Sequence, residues 1–108
     1  MSSVLSIATS GMAAAQKRLE VSARNVANVS STPSDDEAAA AFAALRMDQV
    51  ETRGGGTAAV VSLAPPGTEV DLAGEAIQQM IARYTFAANA KMAKAAGEMQ
   101  KSLLDIKT

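Results

Sequence analysis

Apolar and small residues recur at alternating steps of three and four at both ends of the chain. Near the N-terminus the stripe runs through Leu5, Ala8, Met12, Ala15, Leu19, Ser22, Val26 and Val29. Near the C-terminus it runs through Ile77, Ile81, Tyr84, Ala88, Met92, Ala95, Met99, Ser102 and Ile106. That spacing predicts helices over residues 3–29 and 70–106, because side chains three and four apart share one helix face. The first helix is heptadic, with Leu5, Met12, Leu19 and Val26 in one column and Ala8, Ala15, Ser22 and Val29 in the other. The second repeats at eleven residues, through Ile77, Ala88 and Met99, through Ile81, Met92 and Leu103, and through Tyr84, Ala95 and Ile106. An eleven-residue period corresponds to about 3.67 residues per turn and favours straight or slightly right-handed packing. The two periods cannot hold one register along their full length, so the C-terminal helix is expected to meet more than one neighbour.

The pattern is weaker in between. Pro33 disfavours a helical Thr32 and ends the first helix. Asp35, Asp36 and Glu37 suit the positive end of a new helix, Ala38 to Val50 are good helix formers, and Gly54, Gly55 and Gly56 stop it. An Ala-rich helix is therefore expected over residues 34–53. Residues 54–69 form a Gly/Pro loop in which β-branched residues 57–63 read as one short strand or an extended arm. The expected fold class is all-α, one domain over residues 1–108. Its long N- and C-terminal helices pair antiparallel, with a short helical and extended middle segment.

The helix-pairing seam is expected at Leu5, Met12, Leu19 and Val26 against Ile77, Ile81, Tyr84, Met92, Met99 and Ile106. Changing Leu19 and Ile81 to Asp would then abolish folding. A second N-terminal stripe, Val4, Ile7, Gly11, Ala14, Arg18, Val21, Asn25 and Asn28, lies one residue out of phase, about 100° around the helix. It is partly apolar and free to meet another molecule, although Asn25 and Asn28 also suit a helix end. Phe86 lies about half a turn from the main C-terminal stripe. A partner surface and a place beneath the Ala-rich helix are equally open to it. The methionines read first as gap-filling core.

Composition narrows the function. Hydrophobic residues make up 48 % of the chain, with much of that alanine, no Trp, one Tyr and two Phe. Alanine buries little area and apolar burial stabilises by roughly 25 cal/mol per Å², so the core is thin. Weak order is expected in the isolated monomer, with partners completing its stability. Ten basic and eleven acidic residues leave a net charge of -1, and no basic face with stacking aromatics points to nucleic acid. The chain has neither His nor Cys, which removes the usual general bases, thiol nucleophiles and soft metal ligands. Gly54-Gly55-Gly56 lacks the Lys-Ser/Thr of a phosphate loop, and Asp35-Asp36-Glu37 lacks calcium-loop spacing. The chain is expected to be no enzyme, with no cofactor, no metal and no small-molecule substrate. It carries neither a secretory signal pattern nor a transmembrane stretch.

Both ends resemble one family. Ser10-Gly11-Met12, Ala14, Arg18-Leu19, Val21, Ala23, Asn25, Ala27-Asn28 and Thr32 are similar to the N-terminal motif of flagellar rod and hook axial proteins. Val70-Asp71-Leu72-Ala73, Glu75, Phe86, Ala88-Asn89, Lys91, Glu98-Met99, Leu103-Leu104 and Ile106 look like that family's C-terminal motif. Residues 34–67 do not match, and Arg24 replaces the first asparagine of the usual pair. The resemblance, closest to a short proximal rod protein, implies a structural subunit whose terminal helices polymerise in the basal body. It also implies other rod subunits and the type III export apparatus as partners, and export without a cleaved signal. Gly11, Arg18, Asn25, Asn28, Phe86 and Asn89 become the expected subunit interface.

Overall fold

The computed structural model describes residues 3–29, 44–65 and 68–107. The elements in chain order are helix α1 (Val4–Ala27), strands β1 (Leu45–Glu51) and β2 (Thr57–Leu63), and helix α2 (Leu72–Lys107).

The caps explain where α1 begins and ends. Ser3 is extended at the N-cap, and its hydroxyl accepts the Ser6 N–H at 3.2 Å. At the far end the Asn28 backbone N–H and side-chain amide both donate to the Arg24 carbonyl, at 3.1 and 2.9 Å. Asn28 is thus a helix-ending residue, one of the two roles open to it. At the start of α2, the Asp71 side chain accepts from Ala73 N–H and Glu75 lies in the first turn, both suited to an N-terminal dipole.

The helices run antiparallel. As α1 advances through Gly11, Arg18, Ser22 and Asn25, the α2 residues they meet retreat from Asn89 through Gln78 to Glu75. At 1.5 Å per residue α1 is about 36 Å long and α2 about 54 Å. The last eleven residues of α2 run on past the start of α1, and a Cβ built on Gly97 meets nothing within 4 Å. The molecule is accordingly a rod, 69 × 25 × 15 Å.

The strands form an antiparallel hairpin with Leu45 opposite Leu63 and Glu51 opposite Thr57. Its turn is built on Gly54, Gly55 and Gly56, all at φ near +90° (88°, 93° and 96°), a region that other L-residues rarely adopt. Thr52 N–H donates to the Gly56 carbonyl at 3.1 Å and closes the turn. Gly56 is also needed for approach, since a Cβ there would sit 2.8 Å from Ser10 Oγ. The hairpin lies along α1, with the start of β1 at Asn25 and the turn at Ile7 and Ser10.

Two expectations change here. The fold is mostly helical with two long helices, but it is not all-α, because it contains a two-stranded antiparallel sheet. Residues 45–51 of the expected 34–53 helix are strand β1. Leu-Arg-Met-Asp-Gln alternates with period two, and Leu45 and Met47 turn inward while Arg46 and Asp48 face solvent. Pairing with β2 and packing on α1 stabilise that alternation more than helix propensity stabilises the alternative. Residues 34–43 of the expected helix lie outside the described residues.

Candidate functional site

The seam between α1 and α2 is built from small and polar side chains. On α1 the buried residues are Ala8, Gly11, Ala14, Ala15, Val21, Ser22 and Asn25. On α2 the buried positions are Ala82 and Ala96, which lie seven residues either side of Asn89, and Glu75 lies seven before Ala82. A heptad column Glu75–Ala82–Asn89–Ala96 therefore faces the two α1 columns Ala8–Ala15–Ser22 and Gly11–Arg18–Asn25. Gly11 lets the helices close up: a Cβ there would lie 2.6 Å from Asn89 Oδ1. Asn89 is held over it by donating its own amide to the Thr85 carbonyl at 2.9 Å.

Polar contacts tie the other end of the seam. Ser22, only 1 % exposed, donates its hydroxyl to the Glu75 carbonyl at 3.0 Å and accepts from Gln79 Nε2 at 3.2 Å. Arg18 donates to Gln78 on α2 and, at 2.9 Å, to Gln49 on β1. Asn25 is 5 % exposed and works like a strand partner: its Oδ1 accepts Leu45 N–H and its Nδ2 donates to the Leu45 carbonyl, both at 2.9 Å. The same Nδ2 donates to Glu75 Oε1 at 3.1 Å, so one side chain joins α1, β1 and α2. Among the described residues no buried side-chain N or O atom lacks a hydrogen-bond partner. A fully satisfied network of this kind specifies one register, because any slip leaves buried polar groups unpaired.

The large apolar side chains are outside. Ile77, Ile81, Tyr84, Met92, Met99 and Ile106, expected in the seam, are exposed along α2, with Tyr84 81 % and Ile106 79 % accessible. Met80, Leu103 and Leu104 join them. On α1, Leu5 and Leu19 are exposed, and Met12 and Val26 are intermediate. The α1 seam keeps the expected column of Ala8, Ala15 and Ser22 but takes Gly11, Arg18 and Asn25 as its second column in place of Leu5, Met12, Leu19 and Val26. The hendecad of α2 belongs to the outer face, whereas its seam is heptadic and holds register with α1 over the whole paired length.

The expected subunit-interface set is divided the same way. Gly11, Arg18, Asn25 and Asn89 are engaged within the chain, and Asn28 ends α1. Phe86 is partly exposed at 37 %. Ser10, Ser22, Glu75, Gln78 and Gln79 carry interactions that the hydrophobic pattern did not mark. The seven-residue recurrence of Glu75, Ala82, Asn89 and Ala96 was a usable signal, but it is silent on a hydrophobicity count.

An open cleft of about 370 Å³ lies beside this network, where Asn25, Glu75, Gln78 and Arg18 meet the base of the hairpin. Its polar side chains are engaged with one another rather than aimed into the space. Among the described residues no group of three or more metal-ligating side chains occurs, and no helix is long and apolar enough to cross a membrane.

The described residues thus form a rod-shaped helix pair with a satisfied polar seam and an apolar exterior. Residues 5–33, almost all of them on α1, match the family model described as flagella basal body rod protein. Over this N-terminal segment the chain is therefore similar to flagellar basal-body rod proteins. No curated protein matches the chain.

Proposed function

We propose that the chain is a structural subunit of the flagellar basal-body rod that polymerises through the outer faces of its terminal helices. The observation that carries this reading is the continuous exposed apolar stripe on α2, from Ile77 to Ile106, in a chain whose α1 bears the rod-family match. A stripe of about 29 residues extends roughly 44 Å along a helix, longer than an isolated monomer ordinarily leaves open. Neighbouring rod subunits, copies or paralogues, would cover it and supply the stability that an alanine-rich seam lacks. The likeness of α2 to the family's C-terminal motif supports the same reading. Type III export without a cleaved signal is part of the proposal, as are motility and a position near the base of the rod.

Fractionation tests it. An epitope-tagged chain should co-purify with detergent-washed basal bodies, and a strain lacking the chain should lose motility. A chain found wholly in the soluble fraction would instead be a helical accessory of export or assembly that keeps rod-type helices for docking.

A further inference from the structure

The two edges of the hairpin are only partly closed. In an antiparallel ladder, residues whose backbone groups face the partner strand alternate with residues whose groups face outward. The bonds Ala64 N–H to Ala44 carbonyl, at 2.8 Å, and Thr52 N–H to Gly56 carbonyl, at 3.1 Å, fix the phase. Even-numbered residues bond within the hairpin, and odd-numbered residues turn their N–H and C=O outward. Helix α1 closes two of the outward positions. Asn25 takes both groups of Leu45, and Ser10 Oγ accepts Thr57 N–H at 3.1 Å.

Three outward positions remain on each edge, Met47, Gln49 and Glu51 on β1 and Ala59, Val61 and Leu63 on β2, and among the described residues no backbone hydrogen bond reaches their outward groups. The two edges also differ chemically. Strand β1 carries Arg46, Asp48 and Glu51, charges of the kind that protect an edge. Strand β2, Thr-Ala-Ala-Val-Val-Ser-Leu, has neither charge nor proline, and its Val60, Val61 and Leu63 are exposed.

We propose that the outer edge of β2 pairs antiparallel with β2 of a second copy of this chain, about a two-fold axis at Val61. The strand is self-complementary there. Val61 faces its own copy, Ala59 faces Leu63, and Val60 faces Ser62, so in the flanking pairs a small side chain opposes a larger one, and no like charges meet. Ala59, Val61 and Leu63 also share the face that rests on α1, so pairing extends that apolar layer and covers Leu63. About six backbone hydrogen bonds would join the copies, the ordinary currency of strand addition. The product is an isologous, four-stranded sheet in the order β1-β2-β2-β1. It is an association of free subunits, independent of the helix faces assigned above to the rod.

Sedimentation of the purified full chain over a range of concentrations tests this. The unaltered chain should form a dimer. Val61→Lys and Val61→Glu should each be monomeric with unchanged circular dichroism, because each places like charges directly opposite across the two-fold, a change of about tenfold or more in the dissociation constant. An equimolar mixture of the two variants should dimerise again. A chain that stays monomeric, a Val61→Lys variant that still dimerises, or a mixture that fails to recover the dimer overturns the proposal. If Val61→Lys loses its helical signal, Val61→Glu is read in its place and must be monomeric. Basal-body fractionation of the unaltered chain is unaffected by either result, so the two readings fail separately.

Discussion

The inner and outer faces of the helix pair reverse the usual division of labour. Inside lie alanines, a glycine, a serine, two asparagines, an arginine and two glutamines; outside lie nearly all the leucine, isoleucine, methionine and tyrosine of the two helices. An alanine contributes little when buried, and each net hydrogen bond contributes about 1 kcal/mol, so the inner face stabilises the pair modestly. What it supplies is register. A Cβ on Gly11 would lie 2.6 Å from Asn89 Oδ1, and Asn25 satisfies both outward backbone groups of Leu45. The outer face has the area, but among the described residues nothing covers it. Specificity sits within the helix pair, and most of the large apolar side chains of the two helices sit on its outside.

The sharpest way to break that contrast is at Asn25. Asn25→Asp would set a carboxylate against the Leu45 carbonyl and the Glu75 side chain in a buried position, and urea denaturation should register a loss of about 3 kcal/mol or more. Next comes Gly11→Val, whose side chain overlaps Asn89; it should cost about 2–3 kcal/mol, and a second change, Asn89→Ala, should restore a large part of it. Failure of that rescue would mean the helices do not approach through this pair.

Smaller effects are expected outside. Leu19 and Ile81 are 40 % and 42 % exposed, so the double change to Asp should leave a folded chain, destabilised by about 1 kcal/mol by thermal melting, that no longer enters basal bodies. Abolished folding, the outcome a hydrophobic seam would give, would return these residues to the core. Phe86→Ala should likewise fold and impair incorporation. The smallest effect on stability is expected from deletion of residues 98–108: residues 98–106 at the end of α2 are exposed, so stability should stay within about 0.5 kcal/mol while incorporation is lost.

Several features were legible in the residues themselves. The terminal helices fall out of three-and-four spacing, and β2 was visible as a β-branched run behind three glycines. Strand β1 was not. Its seven residues follow an alanine-rich stretch of high helix propensity, and their alternation stabilises a strand only when β2 and α1 are there to receive it. The seam is hidden for a different reason. A hydrophobic stripe says that a face will be covered, not by what, and here the largest apolar residues lie outside the pair.

The amino-acid order alone determined where the two helices lie, that the chain has neither His nor Cys, and that its N-terminal segment is similar to basal-body rod proteins. Only the tertiary structure decided which face of each helix turns inward. On α1 two stripes one residue apart satisfy the same periodicity, so spacing cannot choose between them. The choice came from steric and hydrogen-bond fit between residues far apart in the chain: Gly11 with Asn89, Ser22 with Glu75 and Gln79, and Asn25 with Leu45. Such fits exist only once the helices and the hairpin stand side by side.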